Sequence, residues 1–241
     1  MTGPDRPRNS RAAGEFHRLL SVDTTTPNGS VALLEDERVV GELNIASSAT
    51  HSKRLLASID FLLQAQGWRV EDLDGIAVTR GPGSFTGLRI GLSTVKALAF
   101  ATGKPVAAVS SLAALADRHR DSGTALVGPM LDAKKGEIFA ALFAPLRSGL
   151  KEIIPQGAYA PEEFIRRLPR RVILFAGSGV GLCRERLQAV LGKRARFSKC
   201  PEFLAADAGR LGLEILRAGR GVDADGLEPL YFRRSQAEEG R

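Results

Sequence analysis

The sequence predicts an α/β protein made of two copies of one sheet-plus-helix unit, and three observations predict it. An apolar strand ending in Asp, a polar turn ending in Gly and an apolar return strand make up VDTTTPNGSVALL (22–34), and the same shape recurs in LDAKKGEIFAALF (131–143). An apolar run leading into a glycine-rich loop occurs as GIAVTRGPGS (75–84) and again, in the same order, as VILFAGSGVG (172–181); two collinear matches point to duplication. Finally, 44% hydrophobic residues with only 6% aromatics and 26 glycines call for an aliphatic core and many turns. The 241 residues have room for one or two domains.

The elements follow in chain order. Residues 1–17 hold Pro, Gly and Arg with almost no apolar periodicity and read as a disordered lead-in. Residues 19–22 form an apolar strand ending at Asp23, and the polar stretch 24–29 turns the chain. Residues 30–34 and 38–45 read as two further strands joined by the charged turn 35–37. From His51 the period changes: Leu55, Ile59, Leu62 and Leu63 share a helical face, with Ser52 at its start and Gly67 at its end. GIAVT (75–79) is continuously apolar, as expected of a strand buried on both faces of a parallel sheet. The loop 80–86 leads into a helix carrying Leu88, Leu92, Val95 and Ala99. Residues 106–109 give another buried strand, and Ser110 caps the helix through Leu115. In the second half, 126–131 leads to Asp132, turns through 134–136 and returns along 138–143. Residues 203–216 form an amphipathic helix on Leu204, Leu211 and Ile215, stopped by Gly219 and Gly221. The segment 228–234 is expected to run extended over the surface, anchored by burial of the Tyr231 ring.

The expected organisation is a tail over 1–17, a first lobe over 18–118 with the glycine-rich motif, a second lobe over 119–234 and a flexible tail over 235–241. The C-terminal helix of the second lobe is free to pack back on the first. A duplicated unit with an Asp-tipped hairpin in each half describes the two-lobed actin-like (ASKHA, ribonuclease H-like) architecture.

In the segment Gly81-Pro82-Gly83-Ser84-Phe85-Thr86-Gly87-Leu88-Arg89, a proline between two glycines imposes a tight turn, and Ser84 is placed to cap the next helix. Backbone N–H groups at such a helix start can hold an anion, yet no Gly-Lys-Ser/Thr follows, so this is not a Walker phosphate loop. Gly87 and Gly91 lie on one helical face, where small residues admit another backbone from within the chain or from a partner.

Composition narrows the function. Thirty-four Lys and Arg against 27 Asp and Glu leave a charge of +7, which suits an anionic partner. Residues 164–200 alone hold ten basic residues and one acid, a surplus larger than that of the whole chain. Two cysteines, Cys183 and Cys200, make no disulfide framework, and three scattered histidines make no metal centre. No apolar run is long enough to cross a membrane, so a cytoplasmic protein is expected.

The segment GPGSFTGLRIG, with DGIAVTR before it, closely resembles the TsaB (YeaZ) family of tRNA threonylcarbamoyladenosine biosynthesis proteins, in the TsaD/glycoprotease-like superfamily. HSKRLL (51–56), PVAAVSSLAALA (105–116), LDAKKGEIFAALF and EPLYFRR (228–234) agree in order, with Phe232 standing where Leu is expected. The resemblance implies an actin-like fold and a non-catalytic subunit. That subunit binds and supports the ligase TsaD, together with the ATPase TsaE, in modifying tRNA beside the anticodon. It implies no independently bound cofactor, with ATP held only in the assembled complex. The ligase of this superfamily holds a metal through His-x-x-x-His, whereas here Leu55 stands four residues after His51.

Candidate sites follow. The helices bearing 51–63 and 86–101 are implied to meet TsaD or a second copy of the chain, through His51, Leu55, Leu56, Leu88, Gly91 and Val95. Asp23, Asp132, Gly177 and Gly179 are the nucleotide-site candidates, each carboxylate being either a holder of metal-bound water or an acceptor for its own turn. Arg166, Arg167, Arg170 and Arg171 are candidates to guide tRNA through the complex, or a solvated surface. The competing reading of the whole chain is an autonomous actin-like ATPase or small-molecule kinase.

Overall fold

Each half of the chain folds a five-stranded mixed sheet, and the two sheets have the same strand order. The computed structural model describes residues 16–26, 28–46, 51–147 and 149–232, with the side chains of 51–53 left undescribed. The first sheet runs β3-β2-β1-β4-β5, from β1 (Arg18–Asp23), β2 (Gly29–Glu35), β3 (Arg38–Ile45), β4 (Gly75–Thr79) and β5 (Val106–Val109). The second runs β8-β7-β6-β9-β10, from β6 (Val127–Lys134), β7 (Glu137–Leu146), β8 (Gly149–Tyr159), β9 (Ile173–Ala176) and β10 (Ala195–Phe197). In both, a three-strand antiparallel meander continues into two parallel strands. The duplication is therefore present in the topology, and the fold is the two-lobed actin-like one.

Helices occupy equivalent places: α1 (His51–Gln66) and α2 (Phe85–Thr102) in the first half, α4 (Pro161–Arg167) and α5 (Val180–Leu191) in the second. The period-2 alternation of the strands divides their side chains between two layers. Leu20, Val22, Ile76 and Val78 face α1 and α2, while Leu19, Ala32, Leu34 and Ala77 face the interior shared by the two sheets. That shared layer holds α3 (Ser111–Asp117) and α6 (Ala205–Arg217), and they are exchanged: α3 lies on β6 and β7, α6 on β1 and β4. A boundary at 118/119 thus separates the sheets but not these two helices. Small residues bring α6 in close, since a methyl group at Gly212 would stand 2.6 Å from Cβ of Ala77.

Two residues of the expected lead-in are part of the fold. Phe16 is buried, and the backbone N–H of His17 donates to the Asp74 carboxylate at 3.0 Å. The rest of the expected lead-in, and the tail 235–241, lie outside the described residues. Strand β8 and helix α4 had no counterpart in the sequence reading, because Pro155 and Gly157 interrupt one and the other is only seven residues long.

Candidate functional site

The carboxyl ends of β1 and β4 meet the start of α2, and there the glycine-rich motif is explained. Ser84 caps α2, its Oγ accepting from Gly87 N at 3.3 Å. The β1–β2 turn lies against this helix end: Ser84 N donates to Thr25 O at 2.6 Å, and Thr24 Oγ1 donates to Gly87 O at 2.8 Å. A Cβ at Gly83, Gly87 or Gly91 would stand under 3.0 Å from Thr25 O, Thr24 O or Thr24 Oγ1 respectively. The small-residue stripe therefore receives the chain's own threonine turn.

The C-terminal segment closes over the loop. Leu230 N donates to Arg80 O at 2.7 Å, and Ser111 N donates to Gly81 O, at a turn where Gly81 has φ +112° and the Gly81–Pro82 peptide is cis. The Tyr231 ring stacks on Phe85 with centroids 5.3 Å apart, and the Arg89 guanidinium lies 3.9 Å from the Phe85 ring centroid. Tyr231 anchors by stacking rather than by burial, for it stays 41% exposed. Two motifs 146 residues apart in sequence, at Phe85 and at Tyr231, thus build one surface.

Asp23 is wholly buried, and both of its carboxylate oxygens accept hydrogen bonds from the chain. Oδ1 accepts from Thr25 N at 3.1 Å, Thr25 Oγ1 at 2.7 Å and Thr79 Oγ1 at 2.6 Å, while Oδ2 accepts from Leu204 N at 3.2 Å. Asp132 is the looser counterpart, partly exposed at the β6–β7 turn. It accepts from Lys134 N at 2.7 Å and Lys134 Nζ at 2.9 Å, bonds that hold its carboxyl below the usual carboxylate range. Gly177 (φ +106°) and Gly179 press on the β6 backbone, with Gly179 N donating to Met130 O at 2.9 Å. Next to them, Ser178 N donates to the carboxylate of Glu202, so a side chain of the chain itself lies where α5 begins. Nothing in the sequence marked Glu202.

The α1–α2 layer corrects the partner-face candidates. Leu55, Leu88 and Val95 are buried under their own helices, and Gly91 is covered by Thr24. Their spacing reported the core face, as an apolar stripe at helical period usually does. Leu56 is 58% exposed, and the exposed aromatics Phe61 (61%) and Phe100 (70%), which periodicity passed over, share its layer. The His51 side chain lies outside the described residues.

The four arginines expected to guide RNA, Arg166, Arg167, Arg170 and Arg171, are all exposed. Arg167 is also paired with Glu163 at 2.6 Å and laid over Tyr159, and Arg166 Nε donates to Glu162 O. A further charged cluster, unmarked by the sequence, joins the lobes. Arg118 donates to Asp207 at 2.9 Å and to the carbonyls of Pro201 and Phe203, and Arg120 bridges Asp117 and Glu214. Burial pushes the Asp117 carboxyl up against the opposing pull of Arg120. His119 Nε2 lies 3.6 Å from Cys200 Sγ. Among the described residues no three His, Cys, Asp or Glu side chains gather as a metal site.

Fold and site define an actin-like protein whose first-lobe turn lies folded onto its own helix start. A profile of the tRNA N6-adenosine threonylcarbamoyltransferase family, TsaD, matches residues 44–239. The TsaB protein of Bacillus subtilis is 32% identical over 230 residues, 91% of this chain and 96% of its own length. That of Haemophilus influenzae is 34% identical over 171 residues, 67% of this chain and 72% of its own. The structure of YeaZ from Pseudomonas aeruginosa superposes with a TM-score of 0.76 at 31% identity, covering 89% of this chain and 99% of that one. The chain belongs to the TsaB (YeaZ) family of tRNA threonylcarbamoyladenosine biosynthesis proteins, within the wider threonylcarbamoyltransferase family.

Proposed function

We propose that this chain is a non-catalytic subunit that docks on a TsaD-like threonylcarbamoyltransferase and, with a TsaE-like ATPase, supports modification of tRNA in the cytoplasm. The observation that carries the reading is the threonine turn lodged on α2. A nucleotide phosphate at this helix start needs free N–H groups and open space, and a metal needs a carboxylate with unspent oxygens. Here Ser84 N and Gly87 N are engaged, Thr24 and Thr25 fill the space, and Asp23 already accepts four hydrogen bonds. These residues do not fit a Mg-nucleotide; ATP belongs to the assembled complex.

Docking is assigned to the α1–α2 layer, where Leu56, Phe61 and Phe100 expose apolar area that a partner would cover. Co-purification with a TsaD-like protein, followed by threonylcarbamoyladenosine formation with and without this chain, tests the reading. Leu56→Glu/Phe61→Glu is expected to abolish co-purification and modification while leaving the free chain folded. Tight Mg-ATP binding with turnover by the isolated chain would support the kinase-like alternative instead. Loss of a homodimer in the variant, with the ligase contact intact, would reassign the face to a second copy.

A further inference from the structure

The positive surplus of this chain is gathered by the fold at one end of the second sheet. Strands β9 and β10 run parallel with Ala195 beside Ile173. Arg170 and Arg171, just before β9, and Lys193 and Arg194, in the 3-10 turn that leads into β10, therefore lie at the same, amino-terminal end of two neighbouring strands. All four are exposed. Glu163 is paired with Arg167 at 2.6 Å and Glu162 with Arg186 at 2.7 Å, and Glu185 on α5 is the one acid between residues 164 and 200. Among the described residues, no carboxylate pairs with Arg170, Arg171, Lys193 or Arg194.

The surface offers charge without a stacking platform. Tyr159 is buried beneath Arg167, and the Phe197 ring is covered by Arg184 at 4.1 Å. Unstacked bases call for exposed aromatics, whereas a duplex backbone calls for guanidinium and ammonium donors at phosphate spacing. The glycine loops occupy the opposite, carboxyl ends of β4 and β9. Nucleic acid held here would therefore be held by its body, away from the inter-lobe cleft.

We propose that Arg170, Arg171, Lys193 and Arg194 form a binding surface for the phosphate backbone of a tRNA helix. This rests on the reading that the chain works in tRNA modification, but not on docking to the ligase. The test is binding of unmodified tRNA to the full chain across a KCl series. It compares wild type, Arg170→Gln/Arg171→Gln/Lys193→Gln/Arg194→Gln, and a charge-matched control, Arg38→Gln/Arg147→Gln/Lys151→Gln/Arg220→Gln. With about one unit of log–log salt slope per phosphate contact, the first variant should lose about three to four units of slope and more than tenfold in affinity at low salt, while the control keeps both. An unchanged slope, an equal loss in the control, or no salt-dependent tRNA binding by wild type overturns the proposal. So does capture by phosphatidylserine vesicles through the same residues with tRNA binding unaffected. Co-purification of the first variant with the ligase, measured in parallel, separates this outcome from failure of the docking reading.

Discussion

A methyl group placed at Gly87 tests whether the glycine motif serves internal packing. Its Cβ would meet Thr24 O under 3.0 Å away, with the Thr24 carbonyl carbon at 3.2 Å. Both atoms are backbone, and they are held by the Ser84 N to Thr25 O bond next in the turn. Overpacking of this kind costs typically about 1–3 kcal/mol, and the upper end applies because no side chain can rotate away. Displacing Thr24 also weakens its hydrogen bond to Gly87 O, worth about 1 kcal/mol. Alanine recovers up to about 1 kcal/mol through helix propensity. Gly87→Ala should therefore destabilise by about 3 kcal/mol and lower Tm by about 6–12 °C for a chain of this size.

The same substitution at Gly181, in α5 with nothing within 4 Å, should instead raise Tm by up to about 2–4 °C. A partner residue sharpens the comparison. At Gly91 the obstruction is the Thr24 hydroxyl, so Thr24→Ala should rescue Gly91→Ala and leave Gly87→Ala as damaging as before. Thermal unfolding by circular dichroism reads all of these variants. If Gly87→Ala and Gly181→Ala shift Tm alike, the packing account of the motif fails.

Three further perturbations probe the joints between the lobes. Arg118→Leu removes the shorter of two ion pairs to the buried Asp207 carboxylate, leaving Arg210 at 3.2 Å, and should cost about 1.5–3 kcal/mol; Arg118→Leu/Asp207→Leu should recover part of that loss, and a double variant no better than the single one refutes the pairing argument. Asp23→Asn sets an amide N–H against donors that need an acceptor, so a cost of about 1–3 kcal/mol is expected in Tm, whereas an unchanged or raised Tm would return Asp23 to the pool of free ligands. His119 has its pKa lowered below 6.5, first by burial and then by neighbouring Arg118, with Asp207 opposing. The unfolded chain then takes the proton first, so this contribution to stability is present above pH 6.5 and is lost as pH falls through that value toward the folded pKa. His119→Gln should flatten the fall in Tm between neutral and mildly acidic pH, and an unaltered slope contradicts it.

How much of this was legible in the sequence depends on the reach of the interaction concerned. The duplicated plan was legible because strand, turn and helix patterns are local, and both Asp-tipped hairpins kept theirs. The GPGSFTG segment was legible as a turn and cap, for Ser84 acts within three residues of itself. What periodicity could not supply was the direction in which an apolar helix face is used. Leu55 on α1, and Leu88 and Val95 on α2, lie on apolar stripes that fit a core and a docking face equally, and all three are buried. The docking candidates Phe61 and Phe100 fall off that stripe, where an aromatic on an otherwise polar face was the available signal. Arg118, Glu202 and the Phe85–Tyr231 stack were illegible because their partners come from distant stretches of chain.

The two half-sites show how one scaffold can have its two glycine-rich helix starts engaged by different means. In the first half a short turn of threonines reaches the start of α2, which is possible only because Gly83, Gly87 and Gly91 leave the helix bare. In the second half the turn carries Lys134 and Lys135, both with positive φ, and Lys134 is bonded back to Asp132, whose own N–H donates to Ser178 Oγ at 3.2 Å. The start of α5 is met there by Glu202, borne on the segment that Arg118 ties down from the other lobe. A carboxylate at a helix start is electrostatically equivalent to a bound anion, so it stabilises α5 while excluding a second negative charge. The first closure is built from backbone and cannot reopen without unpacking α2. The second rests on one side chain, and Glu202→Gln removes its charge without altering its size. If the isolated chain has any nucleotide affinity to be uncovered, that variant should show it at α5, and Asp23 variants should not.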